Sequence, residues 1–261
     1  MPNPTEPSGN AQDISLTFAK GMEVLKAFDD RHTHMTIAEL SRRTGVDRAA
    51  VRRLVRTLVY LGYARQDGRR FSLTPRVLVL AGGFLRGRQF GKTIQPTLDL
   101  CAREVSESVS LAMADGLDAV YVAQATRDDS VVSIGFTIGS RLPLLHTSIG
   151  RALLAYGDPG WAARALAEAE IEAHTSRSLT DRAAIEAAVR AAAERGHAFV
   201  DGEFEPGVAG LSVPVGRRTR ATSAIGFSAS SERFVEEGYR AAALGRLRRC
   251  AAMLEELLTE D

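Results

Sequence analysis

The segment from Thr36 to Leu73 constrains this chain more than any other. Ile37 and Leu40 recur at helical spacing, with Ala38 small enough for close packing. Gly45 stands where a sharp turn between two helices needs positive φ. Asp47 is placed to cap a second helix, in which Val51, Leu54, Val55 and Leu58 form the apolar stripe. Arg48, Ala49, Ala50, Arg52, Arg53 and Arg56 fall outside that stripe. After Leu61-Gly62-Tyr63 the dipeptide Asp67-Gly68 suits a tight hairpin, with Arg65, Arg69 and Arg70 around its tip and Phe71 and Leu73 alternating on the returning strand. Helix, turn, helix and hairpin make a winged helix-turn-helix. Its arginines suit phosphates and base edges, so the expected partner is double-stranded DNA.

Charge supports that division. The net charge of +1 hides an asymmetry: residues 14–91 carry 15 Lys/Arg against 6 Asp/Glu (+9), and residues 92–261 carry 18 against 24 (−6). A basic module joined to an acidic remainder fits a DNA-binding part attached to a part that does not bind DNA. At 261 residues two domains are expected. Cys101 and Cys250 are far apart and match no zinc spacing, which predicts reduced thiols and a cytoplasmic protein. The polar, Pro-containing stretch 1–13 is read as a disordered tail, and no apolar run approaches a membrane span.

Outside the module, Leu16, Ala19, Met22, Val24, Leu25 and Phe28 predict an amphipathic first helix capped by Ser15 or Thr17. Thr74-Pro75 opens a short apolar helix, read as a linker over 76–91 and apolar enough to pack on a partner subunit or the next domain. This places the DNA-binding domain at 14–75 and a second domain at 92–261. There the pattern predicts helices near 91–106, 147–155, 159–168, 181–195 and 232–258. Strands are expected at 108–113, 119–125, 131–138, 197–201, 211–215 and 222–228, with Arg141-Leu142-Pro143 opening a loop. The expected class is α+β: a winged helix-turn-helix, a linker helix and an α/β domain on a curved antiparallel sheet of the GAF-like kind.

These motifs together resemble the isocitrate-lyase-regulator (IclR) family over about residues 14–258. The resemblance rests on the winged module, Arg141-Leu142-Pro143, Thr147-Ser148-Ile149-Gly150-Arg151-Ala152-Leu153-Leu154-Ala155 and Asp201-Gly202-Glu203-Phe204-Glu205-Pro206-Gly207. Gly68 to Leu78 and Gly139 to Pro143 are most similar to the regulators of aromatic-acid catabolism. The resemblance implies a homodimer or homotetramer on a palindromic operator, with a small organic acid as effector and no cofactor. It places Arg48, Ala49, Ala50, Arg52 and Arg53 in the major groove, and Arg65, Arg69 and Arg70 on the wing. It lines the effector pocket with Leu142, Leu144, His146, Thr147, Ser148, Ile149, Asp201, Gly210 and Ser228. Helix-start amides at 147–149 would face an anion. Arg141 is a carboxylate partner and His146 a phenol partner in this reading, while Gly210 and Gly226 leave room where other members carry side chains.

An enzyme is disfavoured. There is no Gly-x-Ser-x-Gly elbow for a triad of Ser110 or Ser148 with His146 and Asp201, and no Gly-rich phosphate loop follows a strand. His32-Thr33-His34 lacks a second ligand pair for a metal. A DNA-binding protein with no ligand is the remaining alternative.

Overall fold

The computed structural model describes residues 14–29, 31–87, 90–126 and 137–259. The tail at 1–13 and most of the strand expected at 131–138 lie outside them. The chain divides into two compact units, one ending at Phe84 and the other starting at Leu85.

In the first unit, α1 (Leu16–Lys26) starts at Ser15, whose side chain accepts from the Phe18 amide. Helix α2 (Ile37–Thr44) starts with a reciprocal cap. Thr36 Oγ1 accepts from the Glu39 amide, and Glu39 Oε2 accepts from the Thr36 amide at 2.7 Å. Gly45 closes α2 at φ +68°. Asp47 then accepts from the Ala49 and Ala50 amides at 3.0 and 2.9 Å to open α3 (Arg48–Tyr60). Val24, Leu40, Val51, Val55 and Phe71 form the core of this unit. The hairpin of β2 (Ala64–Asp67) and β3 (Arg70–Leu73) gains an edge partner that the periodicity did not indicate, β1 (Met35–Thr36), so the wing sheet is ordered β1-β3-β2. Helix α4 (Val77–Gly87) follows. None of its side chains is buried, and Leu78, Val79, Leu80 and Phe84 are all exposed.

Among the described residues, the second unit is a six-stranded antiparallel sheet between two helical layers. It comprises α5 (Gln95–Val105), entered through a π-helical turn, then β4 (Val109–Asp115), β5 (Asp118–Ala125), β6 (Arg141–Pro143), α6 (Ser148–Tyr156), α7 (Pro159–Glu168) and α8 (Arg182–Arg195). The chain continues through β7 (Ala198–Asp201), β8 (Val208–Val215) and β9 (Ser223–Ser230) to α9 (Tyr239–Thr259). The strand order is β6-β5-β4-β9-β8-β7. Two expectations are corrected here. Arg141–Pro143 is not a loop but the short strand β6 at the edge of the described sheet, a position where proline is tolerated. The last helix starts at Tyr239 rather than 232, after a separate 3-10 turn over Ser231–Val235.

The central strands separate their side chains by size. Val109 and Leu111, Leu211 and Val213, and Ile225 and Phe227 point to the α5/α9 layer and form its core with Leu98, Leu247 and Leu254. The alternate positions, Ser110, Ala112, Gly210, Ser212, Ala224 and Gly226, face α6 and are all small. Cys101 and Cys250 sit in the α5/α9 core, both fully buried. The expectation of two separate reduced thiols is corrected: they form a disulfide with a Cα–Cα separation of 5.8 Å, because α5 and α9 pack side by side. No described helix is long and apolar enough to cross a membrane.

Helix α6 is fixed by two devices. A Cβ on Gly150 would run into the Leu144 backbone, so only glycine permits this approach. One residue on, the buried Arg151 guanidinium makes a two-pronged pair with Glu203, Nη1 to Oε1 at 2.7 Å and Nη2 to Oε2 at 2.6 Å. Its Nε donates to the Leu145 carbonyl at 2.8 Å. Removing one partner leaves the other charge buried and alone. Glu203→Ala should therefore lower the unfolding free energy by about 3–5 kcal/mol in urea denaturation, and the volume-matched double replacement Arg151→Met with Glu203→Leu should recover much of that loss. A Glu203→Ala protein as stable as the parent would show that the pair contributes nothing.

Candidate functional site

The winged unit presents a basic face. Arg48, Ala49, Arg52, Arg53 and Arg56 are exposed on α3, whereas Ala50 is half-buried against the core beside Leu54. The sequence expectation that Ala50 lies outward is thus corrected: the helix turns its methyl toward the hydrophobic cluster. The guanidinium groups of Arg48, Arg52, Arg53 and Arg56 make no hydrogen bond or ion pair among the described residues, in contrast to those of Arg43, Arg151 and Arg177, each of which pairs with a carboxylate. On the wing, Arg65 Nε donates to Ser72 Oγ at 3.0 Å, and Arg70 Nη1 donates to the His34 carbonyl at 2.9 Å. Both guanidiniums remain exposed, as does Arg69 at the tip. The Ala50 and Ala49 amides, with positive charge from Lys20 and Arg53, hold the Asp47 carboxyl below its ordinary range, so the cap stays ionised at neutral pH.

The His32 ring lies 2.8 Å from an Asp29 oxygen and 3.0 Å from Arg43, and no cluster of three or more His, Cys, Asp or Glu suited to a metal occurs among the described residues.

In the second unit a cavity of about 840 Å³, counting its open mouth, lies between the sheet and the start of α6. It exists because the sheet positions beneath it are small. Ser110, Gly226 and Ser212 stand side by side across β4, β9 and β8, and Ser228 and Gly210 make the next row. Thr147 caps α6, its Oγ1 accepting from the Gly150 amide at 3.1 Å and donating to the Pro143 carbonyl at 2.8 Å. At the first helical position, Ser148 Oγ lies 2.7 Å from Ser212 Oγ. A Cβ on Gly210 would come within 2.6 Å of Ser148 Oγ, and one on Gly226 would run into Ser212 Oγ. The two glycines therefore make room for the serine pair and keep the floor of the cavity open.

Of the residues expected to line the pocket, Leu142, His146, Thr147, Ser148, Ile149, Gly210 and Ser228 do line the cavity. Leu144 does not: it is buried in the α6–α8 core. Asp201 also turns away, accepting from Ser231 Oγ at 2.5 Å and Arg177 at 2.8 Å. Arg141 is half-exposed on β6, where Asp118 and Asp115 hold it at 2.8 and 3.1 Å; two carboxylates on the neighbouring hairpin capture it before it can reach the cavity. His146 Nε2 donates to the Leu179 carbonyl at 2.8 Å, and burial pushes its pKa below the ordinary histidine value, keeping the ring neutral at pH 7.

Sequence reasoning missed Ser108, Tyr121, Gln124, Thr126, Phe204 and Glu205 in the lining. Burial pushes the Tyr121 hydroxyl up to about 12. Phe204 packs edge-on against His174, which packs edge-on against His146, so loop 201–207 and the approach to α6 share one aromatic contact. A signal for the sheet floor was available: Ser108-Val109-Ser110, Gly210-Leu211-Ser212 and Gly226-Phe227-Ser228 repeat a small–large–small alternation on three strands.

Comparison with known proteins agrees with this geometry. The IclR helix-turn-helix domain matches residues 17–68, and the bacterial transcriptional regulator IclR C-terminal domain matches 84–256. The chain is 37% identical over 203 residues to the Pca regulon regulatory protein of Pseudomonas putida, covering 78% of this chain and 70% of that one. A solved structure from Rhodococcus sp., described as a transcriptional regulator, superposes with a TM-score of 0.75 at 32% identity, covering 95% and 99% of the two chains. An IclR homologue from Microbacterium hydrocarbonoxydans, solved in complex with 4-hydroxybenzoate, shares the fold with a TM-score of 0.76 at 22% identity, covering 94% of this chain and all of that one (100%). With a matching domain at each end and an unpaired basic recognition helix between its caps, the chain belongs to the IclR family of DNA-binding transcriptional regulators.

Proposed function

We propose that this regulator responds to a small monocyclic aromatic acid bound in the cavity beneath α6. The observation that carries the reading is the cavity itself: helix-start amides and a set of serine hydroxyls converge on one space, with apolar walls from Leu142, Ile149, Val200 and Phe204. A helix N-terminus and hydroxyl donors hold a carboxylate, and apolar walls hold a ring. The 4-hydroxybenzoate bound to the Microbacterium homologue, and the kinship with a Pca regulon regulator, support the aromatic class.

On the DNA side, the reading is a homodimer, or a pair of dimers, that sets two recognition helices into successive major grooves of a palindromic operator in the cytoplasm. In this reading the winged domain takes 14–75, the linker that carries α4 takes 76–91 and the effector domain takes 92–261. The exposed apolar side chains of α1 and α4, Leu16, Phe18, Leu78, Val79 and Leu80, supply surface for subunit pairing. Effector binding acts on DNA affinity through its differential preference for two arrangements of the dimer, relayed by α4.

On operator DNA, Arg52→Ala should weaken binding about tenfold or more if it reads a base edge. If it holds a phosphate instead, the salt-dependence slope should fall by about one. Fluorescence anisotropy at several salt concentrations measures both, and unchanged affinity with unchanged slope would remove Arg52 from the interface. In the cavity, Ser148→Ala should weaken 4-hydroxybenzoate binding about tenfold by calorimetry, whereas Arg141→Ala should leave it within about twofold because that guanidinium is engaged elsewhere. Loss of binding in Arg141→Ala together with normal binding in Ser148→Ala would reverse the assignment.

A further inference from the structure

We propose that Glu205 sets the specificity of this cavity, selecting an acid with one carboxylate and a hydroxyl at its far end and rejecting a dicarboxylate. The inference rests on the effector reading above and goes beyond it by assigning the second end of the ligand. Loop 201–207 carries three carboxylates, and two are taken. Glu203 is held by Arg151, and Asp201 by Arg177 and Ser231. Glu205 is half-buried, lines the cavity, and its carboxylate makes no hydrogen bond or ion pair among the described residues.

Its position is firm. The Val208 amide donates to the Glu205 carbonyl at 3.3 Å, while Thr175 and Ser178 hydroxyls donate to the Gly202 and Glu203 carbonyls at 2.5 and 2.6 Å.

The charge inventory of the described lining then decides what fits. It contains no lysine or arginine, and His146 donates to a backbone carbonyl in its neutral form. Glu205 is the one formal charge. An incoming carboxylate is therefore met only by neutral donors, the α6 amides and the serine hydroxyls. A second carboxylate would face Glu205 with no cation in the described lining to offset the repulsion in a partly dry site. A hydroxyl instead donates to that carboxylate, a charge-assisted bond stronger than a neutral one. A site built to bond a hydroxyl discriminates strongly against the analogue lacking it.

The test is calorimetry on the full-length protein with 4-hydroxybenzoate, benzoate and benzene-1,4-dicarboxylate, which share one ring and differ at one end. The parent should bind 4-hydroxybenzoate about tenfold or more tightly than benzoate, and the dicarboxylate more weakly than either. Glu205→Gln keeps the shape and removes the charge. It should cut the hydroxyl preference to about threefold or less and improve dicarboxylate binding about tenfold. Glu205→Asp, which keeps the charge, should retain the rejection of the dicarboxylate and serves if the glutamine variant does not fold. An unchanged ranking in Glu205→Gln, or a parent that takes the dicarboxylate as tightly as 4-hydroxybenzoate, would overturn the role of Glu205 while leaving the acid reading intact. Failure of all three acids to bind a protein that still holds its operator would overturn both.

Discussion

The buried pair of Arg151 and Glu203 joins the two parts from which the cavity is made. One partner is on α6, whose first turn forms one wall, and the other is on the loop that carries Phe204 and Glu205. Both side chains are almost wholly out of water, so their mutual hydrogen bonds and the bond to the Leu145 carbonyl must offset two desolvated charges. That requirement makes the geometry narrow. The Leu179 amide also donates to Glu203, and Leu179 in turn accepts from His146, so a second loop is tied into the same arrangement. Thr147, Ser148 and Phe204 face one space because the ion pair and its attendants leave them few other places to be.

The sheet contributes the complementary constraint. Large side chains on one face give α5 and α9 a continuous core, while small ones on the other leave the floor of the cavity open. Helix α6 meets this face only through its first turn, where Ser148 packs against Ser212 and the two glycines, and the small side chains beside that contact leave the cavity open. The same strands thus do opposite tasks on their two faces. The core lies on the α5/α9 side and the cavity on the α6 side.

Much of this was legible in the residues. Thr36 to Leu73 declared the winged module through Gly45, Asp47 and Asp67-Gly68, because turns and caps depend on local chemistry that a sequence states directly. The reciprocal cap of Thr36 and Glu39 was equally readable as Thr-x-x-Glu and was passed over. The cavity was only partly legible, for two reasons. Arg141 looked like a ligand partner on charge alone, but its fate is decided by Asp115 and Asp118 across a strand pairing that no local pattern reveals. Tyr121 and Gln124, three residues apart on one strand, should point to opposite faces. A bulge in β5, opposite Leu111 and Ala112, shifts the alternation and turns both toward the cavity. One extra residue in a ladder leaves no compositional trace, so the wall it builds could be found only in three dimensions.

The unpaired arginines of α3 have a consequence for the protein away from DNA. Arg48, Arg52 and Arg56 follow one another at four-residue intervals, so each repels the next along a single helix face. With no carboxylate paired to these three among the described residues, the free helix carries that repulsion as a standing load, opposed by the Asp47 cap and by the buried stripe of Val51 and Val55. Phosphates set along that face would relieve it. Any anion that docked along this face would discharge a tension the folded protein already holds, so the free helix is not at its most stable.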